Sequence, residues 1–163
     1  MLPEQFEEFE CAFIRRQTMN NRAEYSGKES PLISNLWIVK PSSSSRGRGI
    51  YIINQPSQII RSAESLVVSR YIETPLLLYG HKFDLRIYVV VTCYDPLRIY
   101  LYREGLVRFA SEKYDISSAC TNASPGTTYG KMYEEQASKY SHLTNYSINK
   151  KNDKYVQNEV SFY

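Results

Sequence analysis

The amino-acid sequence predicts an α+β fold of antiparallel strands with connecting helices, and three observations carry that prediction. Leu36-Trp37-Ile38-Val39 and Ile50-Tyr51-Ile52-Ile53 read as two buried, neighbouring strands. From Phe83 to Tyr94 apolar and polar residues alternate, and an Asp95-Pro96 turn leads into a further run of strand formers. Near the start, Phe6, Phe9 and Phe13 recur at spacings of three and four, a helical stripe.

Taken in order, Pro3 suits the first turn of a helix, which the stripe continues as far as the polar run near Asn20 and Asn21. Ser26, Gly27 and Pro31 mark a linker. The first two strands are joined by Lys40-Pro41, four serines and Arg46-Gly47-Arg48-Gly49, a flexible polar turn. A short helix is expected over Pro56 to Arg61 and a third strand over Leu66 to Ile72. The long strand from Phe83 is followed by a return strand at Arg98 to Tyr102, with another turn at Glu104-Gly105. Asp115 to Tyr140 is rich in Ser, Thr, Ala and Gly and reads as loop with a short helix near Glu134. No internal repeat is present.

Composition excludes several classes of function. The 163 residues suffice for one domain with a core; 42% are hydrophobic and 13% aromatic, which favours folded strands over disorder. Twenty basic against 17 acidic residues give a net charge of +3, too mild to indicate nucleic acid. Arg46, Arg48, Lys82, Arg86, Arg98, Arg103 and Arg108 crowd the middle of the chain. They suit phosphates, carboxylates or an acidic peptide, with solvated basic surface as the plainer alternative. Cys11, Cys93 and Cys120 are odd in number and far apart, the pattern of reduced thiols in a cytosolic protein. The acidic start is no signal peptide, and no apolar run approaches the length of a membrane span.

Three segments hold candidate chemistry. Along the long strand, Lys82, Asp84, Arg86 and Tyr88 project to one face, and Phe83, Leu85, Ile87 and Val89 to the other. Alternation alone allows a half-exposed strand with a charged surface ladder. Flanking apolar runs, Leu76 to Leu78 and Val89 to Val91, instead suggest a buried apolar face, and charges in such a setting hold a ligand. The Lys40 to Ile50 segment places a lysine at a strand end, with glycines whose amides approach phosphates closely. It is not a P-loop, and it also reads as a flexible turn whose serines are phosphorylation sites. His142-Leu143-Thr144-Asn145-Tyr146-Ser147 gathers hydrogen-bonding groups that suit a nucleotide, or an ordinary capped turn.

The strings NLWIVKPSSSSRGRGI, SLVVSRYIETPLLLYGHKFDLRIYVVVTCYDPLRIYLYREGLVRFASEKY and HLTNYSINKKN, in this order, resemble the tubulin–tyrosine ligase-like family, over about two-thirds of the chain. PLRIYLYREGLVRFAS is most like the glutamate-adding branch rather than those adding glycine or tyrosine. The resemblance implies an ATP-grasp fold and a reaction in which ATP phosphorylates a carboxylate and an incoming amine, here free glutamate, attacks it. It implies tubulin or microtubules, through their acidic tails, as partner, a cytoskeletal location in the cytoplasm, cilium or basal body, and no nucleic acid or membrane.

The same resemblance assigns roles. Lys40 is expected to contact the ATP phosphates, with Arg46 and Gly47 in the loop over them and Arg46 also meeting the protein substrate. Ser69, Arg70, Tyr71 and Ile72 fall on the hinge beside adenine, although a glutamine is frequent in the family where Ser69 stands. Lys82, Asp84, Thr144 and Asn145 match nucleotide contacts, and Arg86 helps to neutralise the reacting phosphate. Arg108 is expected to hold the carboxylate of the incoming amino acid through its planar fork, with Tyr146 and Ser147 near that pocket. Mg²⁺ is implied with ATP, but its Asp and Glu-x-Asn ligands belong downstream of HLTNYS, and Asn158-Glu159-Val160 has the wrong order. The expectation is therefore a partial catalytic domain over residues 1–163, inactive by itself and without metal ligands. A non-catalytic tubulin- or nucleotide-binding module, or a family member adding glycine or tyrosine, is the alternative.

Overall fold

The computed structural model describes residues 4–25, 35–59, 65–119 and 139–156. It has the expected α+β composition, with helices and antiparallel strands arranged in two units. One unit holds the described residues up to Pro75 together with Asp115–Ala119 and Lys139, and the other holds Leu76–Tyr114 and the described residues from Tyr140.

The first unit is built on apolar burial. Helix α1 (Phe6–Tyr25) runs past the polar Asn20 and Asn21 where the stripe alone would end it. Strands β1 (Trp37–Pro41), β2 (Tyr51–Ile53) and β3 (Leu66–Arg70) form an antiparallel sheet in the order β2-β1-β3. Ile38 stands opposite Ile52 on one side and Ser69 on the other. Phe9, Phe13, Val39, Tyr51, Ile53, Ile59 and Leu66 are buried together, so the phenylalanine stripe and the two apolar runs face one core. The Phe9 and Trp37 rings meet edge to face, 5.2 Å between centroids. Asn35 links helix to sheet: its amide donates to the Phe13 carbonyl at 3.0 Å, and its oxygen accepts from the Trp37 indole at 2.9 Å. The short helix expected at Pro56 is a 3-10 turn over Pro56–Gln58. The third strand ends at Arg70, and Ile72 beyond it is exposed. The expected linker at Ser26 to Pro31 and the helix near Glu134 lie outside the described residues.

The second unit is a long ribbon. Strands β4 (Leu77–Leu78), β5 (His81–Tyr94) and β6 (Leu97–Lys113) lie in that order, all antiparallel. Tyr79 and Gly80 take φ of 53° and 80°, the left-handed pair that matches a tight turn to the strand twist between β4 and β5. The Asp95-Pro96 turn is where the sequence places it. The turn expected at Glu104-Gly105 is absent, because β6 continues through it to Lys113. Gly105 serves another purpose: it faces Ile87, and a Cβ there would lie 2.7 Å from the Arg86 carbonyl oxygen. The glycine permits a close approach of two backbones beside an irregularity in which Tyr88 stands against residues 102–104.

The apolar face of β5 is not buried as expected. Leu85, Ile87 and Val89 are 59%, 56% and 56% exposed, and among the described residues no second layer covers them. Short helices α2 (Lys139–His142) and α3 (Tyr146–Asn149) take up the two ends of the HLTNYS segment and flank Leu143, Thr144 and Asn145, with buried His142 edge-on to Tyr114 at 5.0 Å. Among the described residues no helix is long and apolar enough to cross a membrane.

Candidate functional site

The centre of the second unit is a carboxylate gripped by an arginine. Antiparallel pairing sets Asp84 of β5 opposite Arg108 of β6, so both side chains rise from one face. Arg108 donates from Nε to Asp84 Oδ1 at 2.7 Å and from Nη2 to Oδ2 at 2.6 Å, the two-pronged geometry in which guanidinium and carboxylate match. Thr144, from the segment between α2 and α3, donates its hydroxyl to Asp84 Oδ2 at 2.8 Å. Three of the sequence-expected residues are thereby joined in one constellation.

Its electrostatics follow from these contacts. Burial pushes the Asp84 carboxyl up, but the hydrogen bonds from Arg108 and Thr144 and the charges of Arg108 and Arg86 together outweigh it. The carboxyl therefore sits below its ordinary value. The hydrogen bond to Asp84 correspondingly raises Arg108. Arg86 acts on Asp84 from the same strand and is itself exposed. Lys82 and Arg86 lie two residues to either side of Asp84 on β5, and the ladder is irregular at Lys82 and at Tyr88.

A second layer supports this constellation from below. Asn149, fully buried, accepts from the Ser111 amide and hydroxyl, both at 2.8 Å, and donates to the carbonyls of Leu143 at 2.7 Å and Asn145 at 3.1 Å. Sequence reasoning passed over Asn149 and Ser111; the available signal was an amide four residues beyond Asn145 in a short polar segment. Tyr146 lies against Tyr155 with 5.9 Å between centroids, and Lys150 stands over its ring at 5.3 Å. Ser147 is half-buried within α3.

The remaining candidates belong to the first unit. Lys40, next to last in β1, stands opposite Val67 and is exposed. The loop beyond it turns through left-handed backbone at Arg46, Gly47 and Gly49, with φ of 62°, 74° and 69°. Ser69 and Arg70 lie on β3, and Tyr71 is buried with its N–H donated to the Leu36 carbonyl at 3.0 Å. The basic residues that crowd the sequence are accordingly divided: Arg46 and Arg48 lie in one unit, and Lys82, Arg86, Arg98, Arg103 and Arg108 along the ribbon of the other. Among the described residues no group of three or more His, Cys, Asp or Glu is placed to hold a metal ion.

The model of the "Tubulin-tyrosine ligase family" matches residues 2–161. The chain belongs to the tubulin–tyrosine ligase family. It is 52% identical over 120 residues to "Tubulin polyglutamylase TTLL5" of Mus musculus, an alignment covering 74% of this chain and 8% of that protein. It is 50% identical over 122 residues to the mouse "Tubulin monoglutamylase TTLL4", covering 75% of this chain and 9% of the relative. "Tubulin polyglutamylase ttll-5" of Caenorhabditis elegans is 44% identical over 123 residues, covering 76% and 15%. The chain thus spans a small part of the length of the family members it matches, and those members carry names of glutamate-adding enzymes, the branch expected from PLRIYLYREGLVRFAS.

Proposed function

We propose that this chain is part of an ATP-dependent ligase that joins glutamate to carboxylate side chains of tubulin. The observation that carries the reading is the Asp84–Arg108–Thr144 constellation: Asp84 occupies one edge of the Arg108 guanidinium and fixes it, which leaves N–H groups on its other nitrogen atoms for a second carboxylate, on a strand that matches glutamate-adding relatives. ATP, when bound, supplies the phosphoryl group that activates a carboxylate for attack by an amine. The donor chemistry present fits it: Lys40, Arg46 and the glycine-containing loop offer charge and close backbone approach to phosphates, and Lys82 and Arg86 offer further positive charge. Ser69, Arg70, Tyr71 and Ile72 would meet adenine through backbone groups other than the Tyr71 N–H, which is donated to the Leu36 carbonyl. Asp84, Thr144 and Asn145 complete the nucleotide contacts. Mg²⁺ would accompany the ATP phosphates; among the described residues no group of three or more His, Cys, Asp or Glu is placed to hold it.

Arg108 has further N–H groups beyond the two that engage Asp84, and these would receive the carboxylate of free glutamate. Tyr146 and Ser147 would contribute to the amino-acid pocket, and Arg46 would meet the acidic tubulin tail. Opposite charge would steer that tail to the basic side chains and place the protein at the cytoskeleton. The test is incorporation of labelled glutamate into tubulin, with ATP, by the whole protein that contains this chain. Incorporation of glycine or tyrosine instead assigns another branch, and tubulin binding without ATP turnover assigns a non-catalytic module. Arg108→Ala is expected to raise the Michaelis constant for glutamate about tenfold or more, the loss of one charge-assisted contact, and to raise that for ATP as well, because Asp84 loses its partner. Unchanged glutamate kinetics would remove Arg108 from the pocket.

A further inference from the structure

Two short peptide stretches flank Thr144, and neither belongs to the ribbon that carries Asp84 and Arg108. What holds the hydroxyl of Thr144 at the carboxylate is therefore a question of packing between a loop and a strand. The Asn149 side chain answers it. Its two amide hydrogens go to the carbonyls of Leu143 and Asn145, the residues on either side of Thr144. Its oxygen takes both the backbone and the side chain of Ser111, three residues along β6 from Arg108. The amide is fully buried, and each of these contacts is 3.1 Å or shorter. A buried amide with all of its groups paired has a single orientation, because any rotation leaves polar atoms unsatisfied.

We propose that Asn149 is a positioning residue that fixes Thr144 against Asp84 and thereby sets the orientation of the Arg108 guanidinium. It does not touch Asp84 or Arg108; it acts through the loop and the hydroxyl. That the oriented guanidinium serves an incoming amino acid rests on the ligase reading above, whereas the ordering itself does not depend on it.

The test is the rate at which the Arg108 Nε proton exchanges with solvent, followed by NMR on the full chain. It compares the wild type with Asn149→Ala, Thr144→Val and the double variant. Each single substitution is expected to accelerate exchange roughly five- to tenfold, the worth of about one hydrogen bond. The double variant is expected to exchange no faster than Thr144→Val, because the influence of Asn149 passes through that hydroxyl. The backbone amides of Val89 and Val91, farther along β5, are expected to keep their rates. Multiplied effects in the double variant, an unchanged rate in Asn149→Ala, or equal acceleration at Val89 and Val91 would each overturn the assignment. If Asn149→Ala does not fold, Ser111→Ala takes its place, since it removes only one of the two hydrogen bonds to the Asn149 oxygen. It must shift the Arg108 proton in the same direction, and no shift overturns the proposal. The exchange measurement needs no substrate, so a failed glutamate assay counts against the ligase reading and leaves the Asn149 result standing.

Discussion

The first unit draws its order from apolar side chains: aromatic rings of α1 lie on the inner face of a three-stranded sheet, with Val39 and Ile53 almost wholly excluded from water. The second unit exposes most of its large apolar side chains along β5 and β6, and its buried positions near the site include polar ones, Ser141, His142 and Asn149. In the first, loss of contact area is what a substitution costs; in the second, it is loss of a paired polar group or of backbone fit. The candidate chemistry follows this division, because the tightest cluster of charged side chains stands where hydrogen bonds, not burial, fix the geometry.

The largest test of that contrast is Phe9→Ala. Removing a buried ring beside Trp37 should lower stability by about 3–5 kcal/mol, read as a shift in the denaturant midpoint of the chain. Gly105→Ala should come next, at about 1–3 kcal/mol, since the added Cβ would press on a backbone carbonyl that cannot swing aside. A third effect appears with acid. Asp84 binds its proton more weakly folded than unfolded, so its contribution is full above the ordinary aspartate value of 3.8 and is lost as pH falls through the lower folded value. Unfolding curves measured down through that window should show the loss, and Asp84→Asn should abolish it. The smallest effect is expected for Leu101→Ala on the exposed ribbon, within about 0.5 kcal/mol. A loss there as large as that of Phe9→Ala would mean that the ribbon is held by apolar packing after all.

The same contrast explains what could be read from the sequence. Strands built on apolar runs and bounded by Pro, Gly or Asp-Pro declared themselves, as did the helical stripe of Phe6, Phe9 and Phe13. Alternation put Lys82, Asp84 and Arg86 on one face because it depends only on the strand period. The pairing of Asp84 with Arg108 depends on register, which was not legible. Counting straight back from the Asp95-Pro96 turn sets Asp84 against Val107, and the irregularities along the ribbon shift the partner by one residue. Gly105 was read as a turn because glycine permits both turns and close approaches, and only the neighbouring strand decides between them. Exposure of Leu85 and Ile87 was equally hidden, since hydrophobic character tells that a face favours cover and not whether the cover is present. Asn149 was missed because its partners are backbone carbonyls and a serine 38 residues away, which leave no mark in local composition.

Asn149 also has a chemical lifetime to consider. Asparagine side chains age by attack of the following residue's backbone nitrogen on the amide carbon, which releases ammonia and leaves an aspartate or its isomer. Here that nitrogen belongs to Lys150, and its hydrogen is already given to the Tyr146 carbonyl at 3.0 Å, while the amide itself is enclosed. The attack would have to break the helix turn and withdraw the side chain from Ser111 at the same time. The hydrogen bonds that hold Asn149 in place therefore also protect it from deamidation. The aspartate they prevent would face the Leu143 and Asn145 carbonyls with a negative charge and no hydrogen to offer them.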